Sequence, residues 1–151
     1  MNDAKFDELV GKTLVEIRGK VGDEEMVFTL EDGRELRMFH DKDCCESVSV
    51  EDICGDLSDL IGTPILQAEE STTDENPDGI KVPDYQDSFT WTFYRIATVR
   101  GAVTIRWYGE SNGYYSEGVD CAWVHSSNRG VRVNHERQRN DCKPAPRCWQ
   151  F

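Results

Sequence analysis

The sequence predicts an α+β domain: a mostly antiparallel, curved β-sheet of hairpins and a meander, carrying two short helices and a basic C-terminal tail. β-rich runs are separated by Asp-Gly and Asn-Gly dipeptides at 32–33 and 112–113, a pattern typical of hairpins. Residues 3–10 and 56–61 carry helix start and stop signals instead. A chain of 151 residues is long enough to bury one ordinary core.

The N-terminal third predicts one helix followed by three strands. Residues 3–10 place their apolar side chains along one side of a short helix that Gly11 ends. KTLVEIRGK (12–20) alternates as a strand does. MVFTL (26–30) and ELRMFH (35–40) flank the Asp-Gly turn, so the three strands are expected to form an antiparallel meander.

The central stretch predicts a fourth strand, a capped helix and a loop. SVSVEDI (47–53) alternates valines on one face. Asp56 is a suitable cap for a helix that extends to Ile61, which the following glycine and proline end. PILQA (64–68) is predicted as a short strand, and the acidic, Pro- and Gly-bearing residues 69–87 as a mobile loop.

Two aromatic strands follow, on either side of Gly101. Phe89, Trp91 and Phe93 alternate onto one face of the first. Their bulk predicts that the interior lies here, and the Asn-Gly turn predicts a second hairpin. Residues 1–124 are therefore interpreted as one domain, and 125–151 as a basic arm.

Charge is unevenly distributed along the chain. The formal net charge is −12, yet residues 125–151 contain six basic and two acidic side chains. Residues 41–78 contain twelve acids and one base. Such a surface repels long nucleic acid and attracts basic partners, although acidic faces also serve solubility alone. The predicted acidic face consists of Asp41, Asp43, Glu46, Glu51, Asp52, Asp56, Asp59, Glu69 and Glu70.

Nothing in the sequence predicts membrane insertion or export. No apolar run approaches the roughly 20 residues that span a bilayer, and the first ten residues carry acids where a secretory signal carries basic and then apolar residues. We therefore expect a cytoplasmic protein with mostly reduced thiols. The neighbouring Cys44 and Cys45 are not expected to bridge to each other, because adjacent side chains of an extended segment point in opposite directions.

Metal binding is a weak alternative. His40, Cys44 and Cys45 lie close in sequence, but zinc sites usually use spaced pairs of ligands. His125, His135, Cys142 and Cys148 form a second, looser set of donors. An EF-hand is rejected because the sixth position of the candidate loop is Glu46 rather than glycine.

No catalytic residue or cofactor is predicted. Phosphate-loop and nucleophile-elbow motifs are absent from the sequence. The acids around 52–70 could hold Mg²⁺, but helix capping and solvation explain them more simply. A different option is a small anionic ligand or nucleotide on the aromatic strands, bound by Arg95, Arg106, Trp107 and Tyr108; cross-strand pairing of these arginines with acids is the plainer interpretation.

Two long motifs carry a family resemblance. DCCESVSVEDICGDLSDLIGTPILQAEE and DSFTWTFYRIATVRGAVTIRWYGESNGYYSEGV resemble a family of small domains of unknown function, encoded mainly by bacteriophages, prophages and plasmids. The resemblance covers roughly residues 6–120. It implies an origin in a phage or another mobile element, but no activity, cofactor or site residue.

These observations favour an accessory protein that acts by binding rather than by catalysis. The expected partner is a host protein, such as a defence or nucleic-acid-handling factor, engaged through the acidic face. The alternatives are a binder that sequesters a small anion, and a small zinc protein. A homo-oligomer is compatible with all three.

Overall fold

The computed structural model describes residues 2–80, 82–83 and 85–125. That part of the chain forms β-strands joined by loops and two single-turn 3₁₀ helices, Phe6–Leu9 and Leu57–Leu60. The strands are β1 (Asn2–Asp3), β2 (Leu14–Arg18), β3 (Glu25–Leu30), β4 (Arg34–Phe39), β5 (Ser47–Cys54), β6 (Gln67–Thr73), β7 (Ser88–Thr98), β8 (Gly101–Ser111) and β9 (Asp120–His125).

The strands make two antiparallel sheets. Sheet one has the order β1-β9-β4-β3-β2, and sheet two the order β5-β8-β7-β6. The predicted meander is confirmed as β2–β3–β4, with Met26 opposite Met38. The aromatic hairpin is confirmed as β7–β8, paired without interruption from Ser88–Ser111 to Thr98–Gly101.

The α+β prediction is wrong, because the protein is mostly antiparallel β and the two expected helices are 3₁₀ turns of four residues each. Asp56 does cap the second turn, accepting a hydrogen bond from Ser58 N at 2.9 Å. However, Gly55 and Gly62 both take positive φ values on either side of it. One turn is all that fits between them, and a single turn gains too few hydrogen bonds to extend into an α-helix.

Two loop predictions are also corrected. The Asn-Gly dipeptide at 112–113 does not form a hairpin: β8 pairs with β5 and β7, whereas β9 pairs with β1 and β4, so residues 112–119 carry the chain from one sheet to the other. The loop predicted at 69–87 begins with strand β6, which pairs with β7 along its length. The polar sequence of β6 does not predict a strand, and its pairing with the apolar strand β7 stabilises it as one.

One hydrophobic core serves both sheets. It includes Met26, Phe28, Leu36 and Met38 from sheet one, and Val50, Tyr94, Ile96, Val103, Ile105 and Trp107 from sheet two. Phe6, on the first 3₁₀ turn, lies between the sheets: its ring centroid is 6.3 Å from that of Phe28 and 4.5 Å from that of Tyr94. The interior is thus shared, rather than confined to the aromatic hairpin.

The outer face of sheet two carries a second aromatic group. The rings of Trp91 and Tyr108 lie 4.6 Å apart. Asn76 accepts a hydrogen bond from Trp91 Nε1 at 2.9 Å, and Gln86 donates one to the Tyr108 hydroxyl at 2.6 Å. Asn76 and Gln86 also join their amides. These hydrogen bonds therefore hold the described part of the 74–87 loop against the outer face of sheet two.

Candidate binding site: an acidic pocket

A pocket of about 680 Å³ opens where β1, the first 3₁₀ turn, β6, β9 and the end of β4 meet. Its size is that of a typical ligand site. Among its described lining residues, Lys5 and His40 are the only basic side chains. Five carboxylates line it: Asp3, Glu8, Asp41, Glu70 and Asp120.

Strand pairing brings these distant acids together. β9 lies between β1 and β4, with Asp3 opposite Ala122 and Phe39 opposite Asp120. The backbone N–H of Ala4 donates to the carbonyl of Cys121 at 3.0 Å, which holds the N-terminal segment against β9. Glu70 reaches the same pocket from sheet two. The site therefore exists only in the folded chain.

Three of the carboxylates are oriented by hydrogen bonds. The Tyr94 hydroxyl donates to Glu70 Oε2 at 3.0 Å, Asp41 N to Asp120 Oδ2 at 3.0 Å, and Trp123 Nε1 to Glu8 Oε1 at 2.8 Å. An ionised carboxylate accepts about four hydrogen bonds. Each group therefore keeps acceptor capacity for a donor that enters the pocket.

Burial and nearby negative charge raise the pKa values of two groups beside the pocket, Cys121 and Tyr94. Burial, together with the nearby Glu70 and Asp120 carboxylates, raises the pKa of the Cys121 thiol to about 12. Burial, with contributions from Cys121 and Glu70, also raises the pKa of Tyr94. Cys121 is therefore a neutral thiol near pH 7 and is unsuited to nucleophilic chemistry, which needs the thiolate.

His40 and Glu46 form a buried pair beside the pocket. His40 Nδ1 lies 2.7 Å from the Gly118 carbonyl and Nε2 lies 2.8 Å from Glu46 Oε2. Both neighbours are acceptors, so both ring nitrogens must carry hydrogen for both bonds to form. Burial opposes the charged ring, but the bonds to Glu46 and Gly118 outweigh it and raise the pKa of His40.

Sequence comparison places the chain in a family. A family model described as a domain of unknown function, DUF7448, matches residues 7–121. The chain belongs to the DUF7448 family. No curated protein and no solved structure matches it. The match agrees in extent with the resemblance seen in the sequence and leaves residues 122–151 outside the family domain.

The predicted acidic face of this DUF7448 protein is dispersed. Asp41 and Glu70 line the pocket, and Asp43 and Glu69 are exposed elsewhere. Glu46 is 1% exposed and bonds to His40 and to the backbone N–H groups of Asp43 and Cys44, so it contributes no surface charge.

The remaining predicted acids have structural contacts. Strand β5 has a bulge between Val50 and Asp52. Glu51 and Asp52 both approach Arg106 there, and their carboxylate oxygens lie 2.5 and 3.7 Å from its Nη2. Asp56 caps the second 3₁₀ turn, and Asp59 packs against Gly101.

The predicted anion site is not assembled as expected. Trp107 is fully buried in the core between the sheets, whereas Arg106 and Tyr108 alternate onto the outer face of β8. Trp91, not Trp107, is the tryptophan beside them: the Arg106 guanidinium lies 5.2 Å from its ring. Glu69 is the cross-strand neighbour of Arg95. These arginines accordingly have carboxylate neighbours.

The His40, Cys44 and Cys45 set does not form a metal centre. The sulfurs of Cys44 and Cys45 are joined in a disulfide, contrary to the prediction, because the segment bends at these residues and is not an extended strand. Among the described residues, no group of three or more His, Cys, Asp or Glu side chains could hold a metal ion. The side chains of His125, His135, Cys142 and Cys148 lie outside the described residues.

Sequence reasoning missed Asp3, Glu8 and Asp120 as pocket residues. They are far apart in the chain, and no motif links them. Only the pairing of β9 with β1 and with β4 could have revealed them, and the two-residue strand β1 gives no periodic signal. Within the described segments, no helix is long and apolar enough to cross a membrane.

Proposed function

We propose that this DUF7448 protein acts by binding, and that its acidic pocket receives a positively charged segment of a partner protein. The observation that carries the proposal is the convergence of five carboxylates on one pocket, where the described lining residues oppose them with one lysine and with a histidine already bonded to Glu46. A pocket of this charge attracts lysine or arginine side chains and raises the rate of encounter with them.

The geometry supports binding more than catalysis. The pocket thiol, Cys121, is held in its neutral form, and both ring nitrogens of His40 are engaged in hydrogen bonds. Neither group is poised to exchange protons with a substrate. The carboxylates, in contrast, are oriented by neighbouring donors and retain free acceptor capacity.

We further propose an origin and a partner for the protein. The two family motifs resemble proteins of phages, prophages and plasmids, so we place the protein in the cytoplasm of a host cell. A host defence or nucleic-acid-handling protein is the expected partner, because such proteins carry basic surfaces for phosphate backbones. An acidic pocket can occupy such a surface.

The proposal is tested by neutralising the pocket. Asp41→Asn, Glu70→Gln and Asp120→Asn together keep the hydrogen-bond acceptors but remove three charges. Each exposed ion pair contributes about 0.2–1 kcal/mol, so we expect a labelled arginine-rich peptide to bind the full-length variant about three- to a hundredfold more weakly, as measured by fluorescence anisotropy.

The matched control removes three exposed charges elsewhere, with Asp7→Asn, Glu31→Gln and Asp87→Asn. It has the same net charge as the pocket variant, so it reports the general effect of charge on affinity. Equal weakening in the two variants would reduce the effect to net charge and would contradict a role for the pocket.

A small-anion function has no comparable support. Arg106 is already paired with Glu51 at 2.5 Å, and Trp107 lies in the core. Binding of nucleotides to the outer face of sheet two would displace these contacts first.

A further inference from the structure

Strand β6 presents an open edge. It pairs with β7 from Gln67 to Thr73 without a bulge, and in the described part of the chain no backbone hydrogen bond leaves its other side. The first 3₁₀ turn packs against β6 and Ala68 is buried. The accessible stretch of the edge is therefore Glu69–Thr73. Sheet edges of this kind are usually covered, bent or charged, and here the charges of Glu69 and Glu70 are the protection.

A second pocket, of about 430 Å³, lies beside the same strand. Ser71, Thr72 and Thr73 line one of its walls, Phe93 contributes an aromatic surface, and the carboxylates Glu75 and Asp78 also line it. An apolar surface next to carboxylates suits a side chain with an aliphatic stem and a cationic head. Glu70 of the same strand lines the acidic pocket.

The Phe93 wall of the second pocket and the Glu70 wall of the acidic pocket lie on opposite faces of β6. Successive strand residues point to opposite faces. Ser71 and Thr73 pair with Phe93 and Trp91 on the outer face of sheet two, whereas Glu70 pairs with Tyr94, whose ring lies in the core between the sheets. A strand added beside Glu69–Thr73 would direct alternate side chains toward one pocket and then the other.

We propose that the edge of β6 receives an extended, positively charged segment of the partner as an added β-strand, with one basic side chain in each pocket. The proposal rests on the proposed function for the acidic pocket and adds the backbone pairing and the spacing. Because the pockets lie on opposite faces, the two basic residues must be separated by an odd number of positions, as neighbours or three apart.

Charge selects this occupant over a second copy of the chain. Antiparallel pairing of two β6 edges would bring Glu69, Glu70, Asp74 and Glu75 of both copies to one seam. Like charges facing each other across strands are destabilising, and no base lies in residues 67–80 to offset them. A basic segment instead meets carboxylates at both ends of this stretch, Glu69 and Glu70 at one end and Asp74 and Glu75 just beyond the other.

The spacing is tested with full-length protein and ten-residue peptides of otherwise identical composition. Two arginines stand at positions 5 and 6, or 5 and 8, in one pair of peptides, and at 5 and 7 in the control, on a background of threonine and valine. We expect the odd-spaced peptides to bind at least about tenfold more tightly in fluorescence anisotropy. Equal affinity of odd- and even-spaced peptides overturns the strand model.

Backbone pairing is tested on the peptide, which leaves the protein unaltered. Two versions of the best peptide carry N-methyl groups at alternate residues, one on the odd set and one on the even set. Only one set of N–H groups can face β6, so we expect one version to lose binding and the other to keep it. Retention of binding by both versions contradicts strand addition.

The outcomes separate this inference from the proposed function. If all peptides bind alike and the Asp41, Glu70 and Asp120 substitutions abolish binding, the acidic pocket is the site and strand addition is wrong. If no peptide binds, the proposed function fails as well.

Hydrogen exchange identifies any other occupant. We expect the outward amides of Glu69–Thr73 to exchange quickly in the free protein and slowly with the peptide. Protection in the free protein that rises with protein concentration assigns the edge to a second copy. Protection independent of concentration assigns it to the chain itself, and either result overturns the proposal.

Discussion

His40 and Glu46 show how a few side chains fix the wall of the acidic pocket. Glu46 is buried, and its carboxylate accepts hydrogen bonds from the His40 ring and from the backbone N–H groups of Asp43 and Cys44. His40 in turn bonds to the carbonyl of Gly118. The pair thus ties the 40–46 segment to the chain just before β9, next to Asp41 and Asp120.

The pair predicts a pH window for stability. The pKa of His40 is raised from 6.5, so its contribution is complete below 6.5 and is lost as the pH rises through the folded-state pKa. The bonds from Asp43 N and His40 lower the pKa of Glu46 from 4.5 to about 2, so its contribution is complete above 4.5 and is lost as the pH falls toward 2. Denaturant unfolding should therefore show both contributions in full between pH 4.5 and 6.5.

Glu46→Gln supplies the control for that window. It keeps the size of the side chain and removes the charge, so the pKa of His40 should fall, as an NMR titration of its ring protons would detect. The loss of stability above pH 6.5 should shrink in the same variant. A wild-type His40 that titrates at or below 6.5 would show that Glu46 and Gly118 do not stabilise the charged ring.

At the scale of elements, the connection between the sheets depends on a close contact at Gly109. A Cβ at this position would fall well inside van der Waals distance of the Glu117 carbonyl oxygen and 3.1 Å from Val48 Cγ2. Glu117 is held there as a buried carboxylate that accepts from Thr90 Oγ1 at 2.8 Å and from Ser111 Oγ. Residues 112–119 fold back onto β8 because Gly109 leaves room for them.

Gly109→Ala should therefore reduce the free energy of unfolding by about 1–3 kcal/mol, the usual range for overpacking. Gly118→Ala is the matched control, since its Cβ would meet nothing nearer than Ser116 Oγ at 3.9 Å, and it should be close to neutral. Urea denaturation compares the two. Similar stabilities would mean that the 112–119 connection shifts without cost.

At the scale of the whole molecule, Phe6 joins the two sheets. It is 2% exposed and touches Phe28 from sheet one and Tyr94 from sheet two. The same turn carries Glu8 and follows β1, so its position also sets the N-terminal wall of the acidic pocket. The position of this turn therefore affects both the core and the candidate site.

Phe6→Ala should destabilise the protein by about 3–5 kcal/mol, through lost burial and a cavity between the sheets. Val10→Ala, at a side chain that is 48% exposed, should change stability little. Thermal and urea denaturation measure both variants. A small effect at Phe6 would show that each sheet holds its own core.

Elements with local sequence signals could be predicted without the structure. The meander β2–β4 and the hairpin β7–β8 were predicted because alternation and tight turns act between neighbours in the chain. The Asp56 cap is equally local, although the flanking glycines restricted its helix to one 3₁₀ turn.

Features that depend on pairing between distant segments could be seen only in the folded protein. The Asn-Gly turn before β9 looked like a hairpin, yet β9 found its partners in β1 and β4, because a strand joins whichever edge completes a buried face. The same pairing placed Asp3, Glu8 and Asp120 around the pocket that Asp41 also lines, whereas Glu46 is buried in its hydrogen bonds beside that pocket. Net charge could be read along the chain, but its concentration in one pocket required the fold, since chain distance does not determine which carboxylates meet in space.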